Sequence, residues 1–344
     1  MPDPIALAVP FFFLLIGIEL AWAKRRGIVV YRFTDALTDL SCGITVGRIA
    51  LAGVALAMFV SAGGCRHEKK KPVTVTTIEG PSAILPAPFS ASPDAPAAAA
   101  THVSIRTLDT SGTTRQYLLV EPVALEKARR YPLILVFHGD GGEAAGFHQK
   151  FPFEKASGGD AIVAYPNGLN ATWDLDTKLD NREVKFVEAI IEDLASRLPV
   201  DKLRVFATGY SSGGFLSNVI ACQKSGLLRA ISSSAGGAPY QQALAWPNGY
   251  TKCPGQEKVA MLALHGESDH GVTLDSGRFS AEYWAYIDGC NTEELETTFY
   301  KECRAYRGCP AGKAVAFCQI PDLGHWVWDR AAEASWTFFR TQTQ

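Results

Sequence analysis

The stretch VFATGYSSGGFLSNVIAC, residues 205–222, runs from a strand-like apolar segment through a glycine-rich corner into a helix-like segment. Its corner, Gly209-Tyr210-Ser211-Ser212-Gly213, fits the G-x-S-x-G pattern, in which a serine sits at a sharp strand-to-helix turn and small neighbours let strand and helix approach closely. Read this way, Ser211 presents its hydroxyl above the C-terminal edge of a sheet. Ser212 offers its backbone N–H, at the helix N-terminus, to a developing oxyanion. Glycine and serine are also common in plain loops, so the strand before and the helix after are what favour the catalytic reading.

A serine hydroxyl is a weak nucleophile until a base takes its proton, and the base needs an acid to hold its tautomer. Around such a corner the expected order is serine, acid, histidine, each just past a later strand. VAMLALHGESD ends a strand near His265 and puts Asp269 on the next loop; VAFCQIPDLGH ends another near Ile320 and puts His325 on the loop after it. Of seven histidines, His67 and His102 precede the core, His138 and His265 sit in strand-end His-Gly pairs, and His148 lies before the corner, leaving His270 as the rival base. Asp275 and Asp322 are the rival acids, each also readable as a solvated loop residue. FHGDGG, residues 137–142, fills the slot for a second oxyanion donor, because its glycines let backbone N–H groups turn into the site. There Asp140 would contribute its N–H while its carboxylate turns outward, since a negative charge facing the oxyanion would oppose the reaction.

From residue 101 onward apolar segments alternate with helical patterns. Strands are expected at VSIRTLD, RQYLLVE, PLILVFHG, AIVAYPNG, LRVFATG, LRAISSSAG, VAMLALHG and FCQIPD; helices are expected around 182–197, from 212, from 276 and after Asp329. Strands rich in Val, Ile and Leu, separated by helices, indicate an α/β fold with a mostly parallel sheet covered on both faces. The 344 residues leave room for one large domain or two modest ones, and the region after 100 can bury a substantial core alone. A formal net charge of −2 gives no overall field to gather nucleic acid or an anionic membrane surface. Serine chemistry of this kind needs no cofactor or metal. Six of the eight cysteines lie at or after position 222 and none forms a C-x-x-C pair, which points to an oxidising compartment.

The first hundred residues have a different character. Residues 5–23 are almost wholly apolar and are followed by Lys24, Arg25 and Arg26, enough for a membrane anchor with positive flanks. A second apolar run, residues 49–60, suits the core of a signal peptide, and Ala62-Gly63-Gly64-Cys65 resembles a bacterial lipoprotein signal in which Cys65 is lipidated. Residues 66–100, rich in Pro and Ala, read as a tether to a catalytic domain over 101–344. Residues 1–48 resemble the opening of membrane-bound sterol desaturases and fatty-acid hydroxylases. Those enzymes need paired-histidine boxes and no histidine precedes His67, so no desaturase chemistry is carried over, and a gene fusion or misplaced start codon is the expectation.

FHGDGG, AYPNGLNATWD, RVFATGYSSGGF, LHGESD and DLGHWVW together make residues 103–343 similar to the bacterial polyhydroxybutyrate-depolymerase and feruloyl-esterase family of α/β-hydrolases. The resemblance implies carboxylester hydrolysis, with polyester, feruloyl and acetyl substrates all open. It puts nucleophile, acid and base on Ser211, Asp269 and His325. Family members often have an uncharged residue at the position of Asp140 and glycines at those of Asp322 and Leu323. The resemblance also pairs Cys222 with Cys253, which suits a helix of eleven residues descending roughly 16 Å from the corner, and Cys290 with Cys309. Cys303 and Cys318 would face each other if 300–307 and 313–320 form a hairpin.

Only a short stretch separates the strand ending near Ala235 from the one starting near Val259, too short for a large lid. An open cleft rimmed by Trp173 and Trp326 is therefore expected, serving an ester substrate that projects from a polymer. The exported enzyme is expected as a monomer, meeting a membrane only through its N-terminal segment or lipid. A serine peptidase with the same triad and a non-catalytic binding lipoprotein are the competing readings.

Overall fold

The computed structural model describes residues 99–176, 180–239, 250–253, 255 and 258–342. The anchor-like and signal-like segments, Cys65 and most of the tether lie outside them. The first strand among the described residues begins at Thr101.

Among the described residues, ten strands form one sheet: β1 (Thr101–Thr110), β2 (Thr113–Pro122), β3 (Tyr131–Phe137), β4 (Ile162–Pro166), β5 (Val200–Tyr210), β6 (Ala230–Ser234), β7 (Ala260–Gly266), β8 (Asn291–Thr297), β9 (Cys303–Arg307) and β10 (Val315–Ile320). Their order across the sheet is β1-β2-β4-β3-β5-β6-β7-β10-β9-β8. The neighbours from β4 through β10 pair in parallel, while β1, β2, β9 and β8 pair antiparallel at the two edges. Strands β3, β4, β6 and β7 are buried at every residue. Continuous apolar runs such as YPLILVF follow from helices covering both faces, whereas the edge strand β1 mostly alternates half-buried and exposed positions.

Helices α3 (Arg182–Arg197), α4 (Ser212–Gln223) and α5 (Leu274–Asp288) cover one face; α1 (Ala144–Lys150), α2 (Glu154–Ser157) and α6 (Ala331–Thr341) cover the other. Asn181 caps α3 by accepting from Glu183 N and Val184 N, worth about 1 kcal/mol. Val184, Val187, Ile191 and Leu194 repeat at helical spacing on the buried face of that helix. Glu183 itself is buried, and it is tolerated because Arg115, equally buried, pairs with it at 2.7 Å and lies over the Phe186 ring. Helix α4 is buried nearly all round, and Asn218 on it accepts from Trp284 Nε1 (2.7 Å) and Ser280 Oγ (3.1 Å) of α5, locking the two helices together.

Among the described residues, three disulfides join Cys222 to Cys253, Cys290 to Cys309 and Cys303 to Cys318, the first two being the pairs that the resemblance implies. Cys303 and Cys318 are direct partners across the antiparallel β9–β10 pair, as the hairpin requires. Among the described residues, α1, α2, the edge strand β8 and a 3-10 turn at Ser225–Leu227 were not foreseen. Helix α5 starts two residues earlier than expected, at Leu274. Between β3 and β5 the chain visits β4 on one side and then crosses back over β3, so the sheet order reverses there and a crevice opens at the C-terminal strand ends. This is the α/β-hydrolase fold.

Candidate active site

The corner after β5 stands at that crevice. Ser211 has φ 53° and ψ −120°, a strained left-handed conformation for a residue with a side chain. Its N–H donates to Ser234 O at 2.9 Å and its carbonyl accepts from Phe215 N at 3.0 Å, so the turn is held from strand and helix alike. The glycines of the pattern are sterically required. A Cβ on Gly209 would strike the Gly213 carbonyl, and one on Gly213 would strike the Phe137 and His138 carbonyls of the neighbouring strand end.

Three loops bring the other groups to Ser211. His325, after β10, has Nε2 3.0 Å from Ser211 Oγ and Nδ1 2.8 Å from Asp269 Oδ2. Asp269, after β7, is buried, and its Oδ1 accepts from Gly271 N (2.8 Å) and Val272 N (2.9 Å), which fixes the plane of its carboxylate. With Nδ1–H donating to the acid, Nε2 is free to accept the Ser211 proton. His265 lies beneath, its Nε2 donating to Val272 O at 2.8 Å and standing 3.3 Å from Asp269 Oδ2. Burial pushes the pKa of that ring down, so it braces the acid loop as a neutral group. The rivals stand apart from this chain: His270 is exposed, Asp275 pairs with Arg278 at the surface, and Asp322 is an exposed turn residue. Asp322 has φ 57°, which explains why glycine suits that position and why an aspartate still fits.

The 138–142 loop lies against the corner: a Cβ on Gly139 would come within 2.7 Å of the Tyr210 ring and 3.4 Å of Ser211 Cβ. Asp140 is exposed, as an outward carboxylate requires, and Ser212 opens helix α4. Ser212 Oγ is buried without a partner, so that side chain offers nothing to the site that its backbone does not.

Sequence reasoning missed what props this loop. His138 Nδ1 donates to Gly139 O at 2.7 Å while its Nε2 accepts from Gly168 N at 3.0 Å. Burial lowers the pKa of His138, keeping that acceptor lone pair free. Asn167 Oδ1 accepts from Ala144 N (2.6 Å), and Ala171 O accepts from Gly141 N (2.8 Å). Asn170 and Ala171 both have positive φ, a strain on the order of 1 kcal/mol each, which belongs to the tight turn that aims the Ala171 carbonyl at the loop. Trp173 completes the brace, and here the sequence expectation needs correction. It is only 5% exposed, edge-on to the Phe137 ring at 5.5 Å and tilted against the His138 ring at 4.6 Å, with Nε1 donating to His138 O at 2.8 Å. A tryptophan so placed is a support under the 138–142 loop, not part of the rim. Trp326, by contrast, is 42% exposed and packs edge-on to Tyr210 at 4.9 Å, at the mouth of the site. Among the described residues no group of three His, Cys, Asp or Glu side chains could hold a metal ion.

No family model matches the chain. A "Probable feruloyl esterase C" of Aspergillus niger is 31% identical over 243 residues, covering 65% of this chain and 83% of that protein. A feruloyl esterase C of Emericella nidulans is 30% identical over 188 residues, covering 53% of this chain and 64% of that protein. Among solved structures, an acetyl xylan esterase from Aspergillus awamori superposes with a TM-score of 0.54 at 18% identity, covering 69% of this chain and 99% of that one, a likeness of fold. These relatives lend no support to polyester depolymerisation or to the desaturase-like resemblance of residues 1–48. The chain belongs to the feruloyl esterase C family and is a carboxylic ester hydrolase.

Proposed function

We propose that this enzyme hydrolyses feruloyl-type and short acyl esters carried on polysaccharide, with Ser211 as nucleophile, His325 as base and Asp269 as the group that orients it. The observation that supports this most is the unbroken hydrogen-bonded chain from Ser211 Oγ through His325 to the buried Asp269. Ser211 Oγ attacks the ester carbonyl while His325 Nε2 takes its proton; the carbonyl oxygen becomes an oxyanion held by the N–H groups of Asp140 and Ser212. Collapse of that intermediate breaks the C–O bond to the sugar, and His325 returns the proton to the departing alkoxide. Water then repeats the cycle on the acyl-serine, with His325 as base, releasing the acid and Ser211.

Trp326 at the mouth serves the aryl or sugar portion of the substrate. The three disulfides favour an exported enzyme, since such bonds persist in oxidising compartments. Export through the 49–65 segment, with Cys65 as the lipid anchor, belongs to the same proposal. Its test is a panel of methyl ferulate, p-nitrophenyl acetate, p-nitrophenyl palmitate and a peptide anilide. Activity on the first two is expected. A dominant amidase activity, or a rate jump when the palmitate ester passes into micelles, would contradict the proposal.

A further inference from the structure

A groove of about 470 Å³ opens beside the proposed catalytic residues, between the α1–α2 segment and the loop and helix that follow His325. One end is Trp326, which adjoins His325 in sequence and touches Tyr210, the neighbour of Ser211. The groove then follows α6 from Ala332 to Arg340, a rise of roughly 12 Å along that helix. Its cations are Lys150, whose ammonium sits 5.5 Å from the Trp326 ring centroid, Lys155, and Arg340, whose guanidinium lies over the Trp336 ring at 5.9 Å. None of the three is within 4 Å of a carboxylate among the described residues. Of the two acidic residues in the lining, Glu333 is already paired with Arg330 and accepts from Tyr300 Oη. Asp329 is left against three cations, in a chain whose formal net charge is −2. The groove thus carries a local excess of positive charge in a chain that is slightly negative overall.

We propose that this groove binds an acidic polysaccharide segment, one bearing uronate carboxylates, that continues from the sugar whose ester is cleaved; the proposal rests on the esterase reading above. An exposed indole offers a flat face for the C–H side of a sugar ring, and the cations behind it match carboxylates spaced along a chain. Neutral polysaccharide would use the indole and leave the cations idle. Nucleic acid meets the same charge but brings bases to stack, so it is the control that separates a general polyanion surface from a sugar groove.

The test uses the full chain and two probes of equal length, oligogalacturonate and a neutral xylo-oligosaccharide, with binding read by calorimetry. Oligogalacturonate is expected to bind more tightly, with affinity falling several-fold as salt rises from about 20 to about 300 mM. The Lys155→Ala/Arg340→Ala double variant should lose about fivefold to tenfold in that affinity, and the ratio of kcat/KM on acidic over neutral feruloylated oligosaccharide should fall in step. Equal affinity for the two oligomers, or binding indifferent to salt, overturns the groove assignment. So does a single-stranded oligonucleotide of matched charge that binds as tightly as oligogalacturonate. A protein that hydrolyses methyl ferulate without the expected preference sinks the groove alone, whereas one that binds oligogalacturonate and cleaves no ester sinks the esterase reading.

Discussion

Tyr210 donates its phenolic hydrogen to the backbone carbonyl of His325 at 2.8 Å, so the residue just before Ser211 holds the loop that carries His325. Its ring also packs on the His325 imidazole at 5.2 Å. Burial, with the nearby charge of Asp269, raises the Tyr210 pKa and keeps the hydroxyl a donor. Tyr210→Phe retains the ring and deletes the hydrogen bond, a loss of about 0.5–1.5 kcal/mol. Steady-state kinetics on methyl ferulate should show kcat down about threefold to tenfold with KM little changed. A change confined to KM would mean that the tyrosine contacts substrate instead.

Trp173→Phe leaves an aromatic ring against Phe137 and His138 but strips the His138 carbonyl of its donor. A buried acceptor left unpaired costs about 1–3 kcal/mol, so thermal unfolding should move down by several degrees. Because the brace lies under the loop proposed to hold the oxyanion, kcat should fall too. A rise in KM alone, at unchanged stability, would restore Trp173 to the rim.

The corner and the loops that bring Asp269 and His325 to Ser211 were legible in the sequence because each follows a strand that its apolar run marks; the Cys222–Cys253 and Cys290–Cys309 pairs came from the family resemblance, and Cys303–Cys318 from the expected hairpin. Strand-to-helix geometry demands Gly209 and Gly213, and the loops after β7 and β10 carry Asp269 and His325 in the required chain order. Trp173 was misread because NATWD looks like a surface loop. What buries the indole is the turn at Asn170 and Ala171, whose positive φ values lie outside what propensity expects of an alanine. The brace from His138 to Gly168 spans thirty residues and leaves no pattern in either segment. Strand β8 was missed because NTEELET is charged and faces solvent, and it is held as a strand by pairing with β9.

The Cys222–Cys253 bond ties the end of α4 to the segment leading into β7, closing a separation of 31 residues. Replacing both cysteines with alanine should cost about 2–4 kcal/mol in urea unfolding. Thiol counting on the oxidised parent should find none of the six domain cysteines reactive. An unchanged unfolding midpoint in the double variant would show that packing alone holds that helix end.

Asp288 ends α5 in a fully buried position, its Oδ1 accepting from Val259 N at 3.2 Å and its Oδ2 without a partner. Burial pushes this carboxyl up to about 8, against the pull of the Val259 N–H and of Lys313 and Lys258. A folded pKa above the ordinary 3.8 means that the native state holds the proton while the unfolded chain has released it. Stability from this group is therefore complete in acid, drains as pH rises through the interval, and is gone above about pH 8. Asp288→Asn does not ionise. Its unfolding free energy relative to the parent should rise by at least about 1 kcal/mol between pH 5 and pH 8 and level off beyond. A difference that stays constant with pH would mean that the carboxyl is ionised throughout.

Assignment of the nucleophile is tested most directly by mapping the adduct of a fluorophosphonate probe by peptide mass spectrometry on the parent, Ser211→Ala and Ser212→Ala proteins. The adduct should sit on Ser211 in the parent, be absent from Ser211→Ala together with at least about a thousandfold of kcat, and persist in Ser212→Ala, whose buried hydroxyl has no partner to lose. An adduct on Ser212, or a Ser211→Ala protein that keeps its esterase activity, would contradict the assignment of Ser211 and the triad built around it.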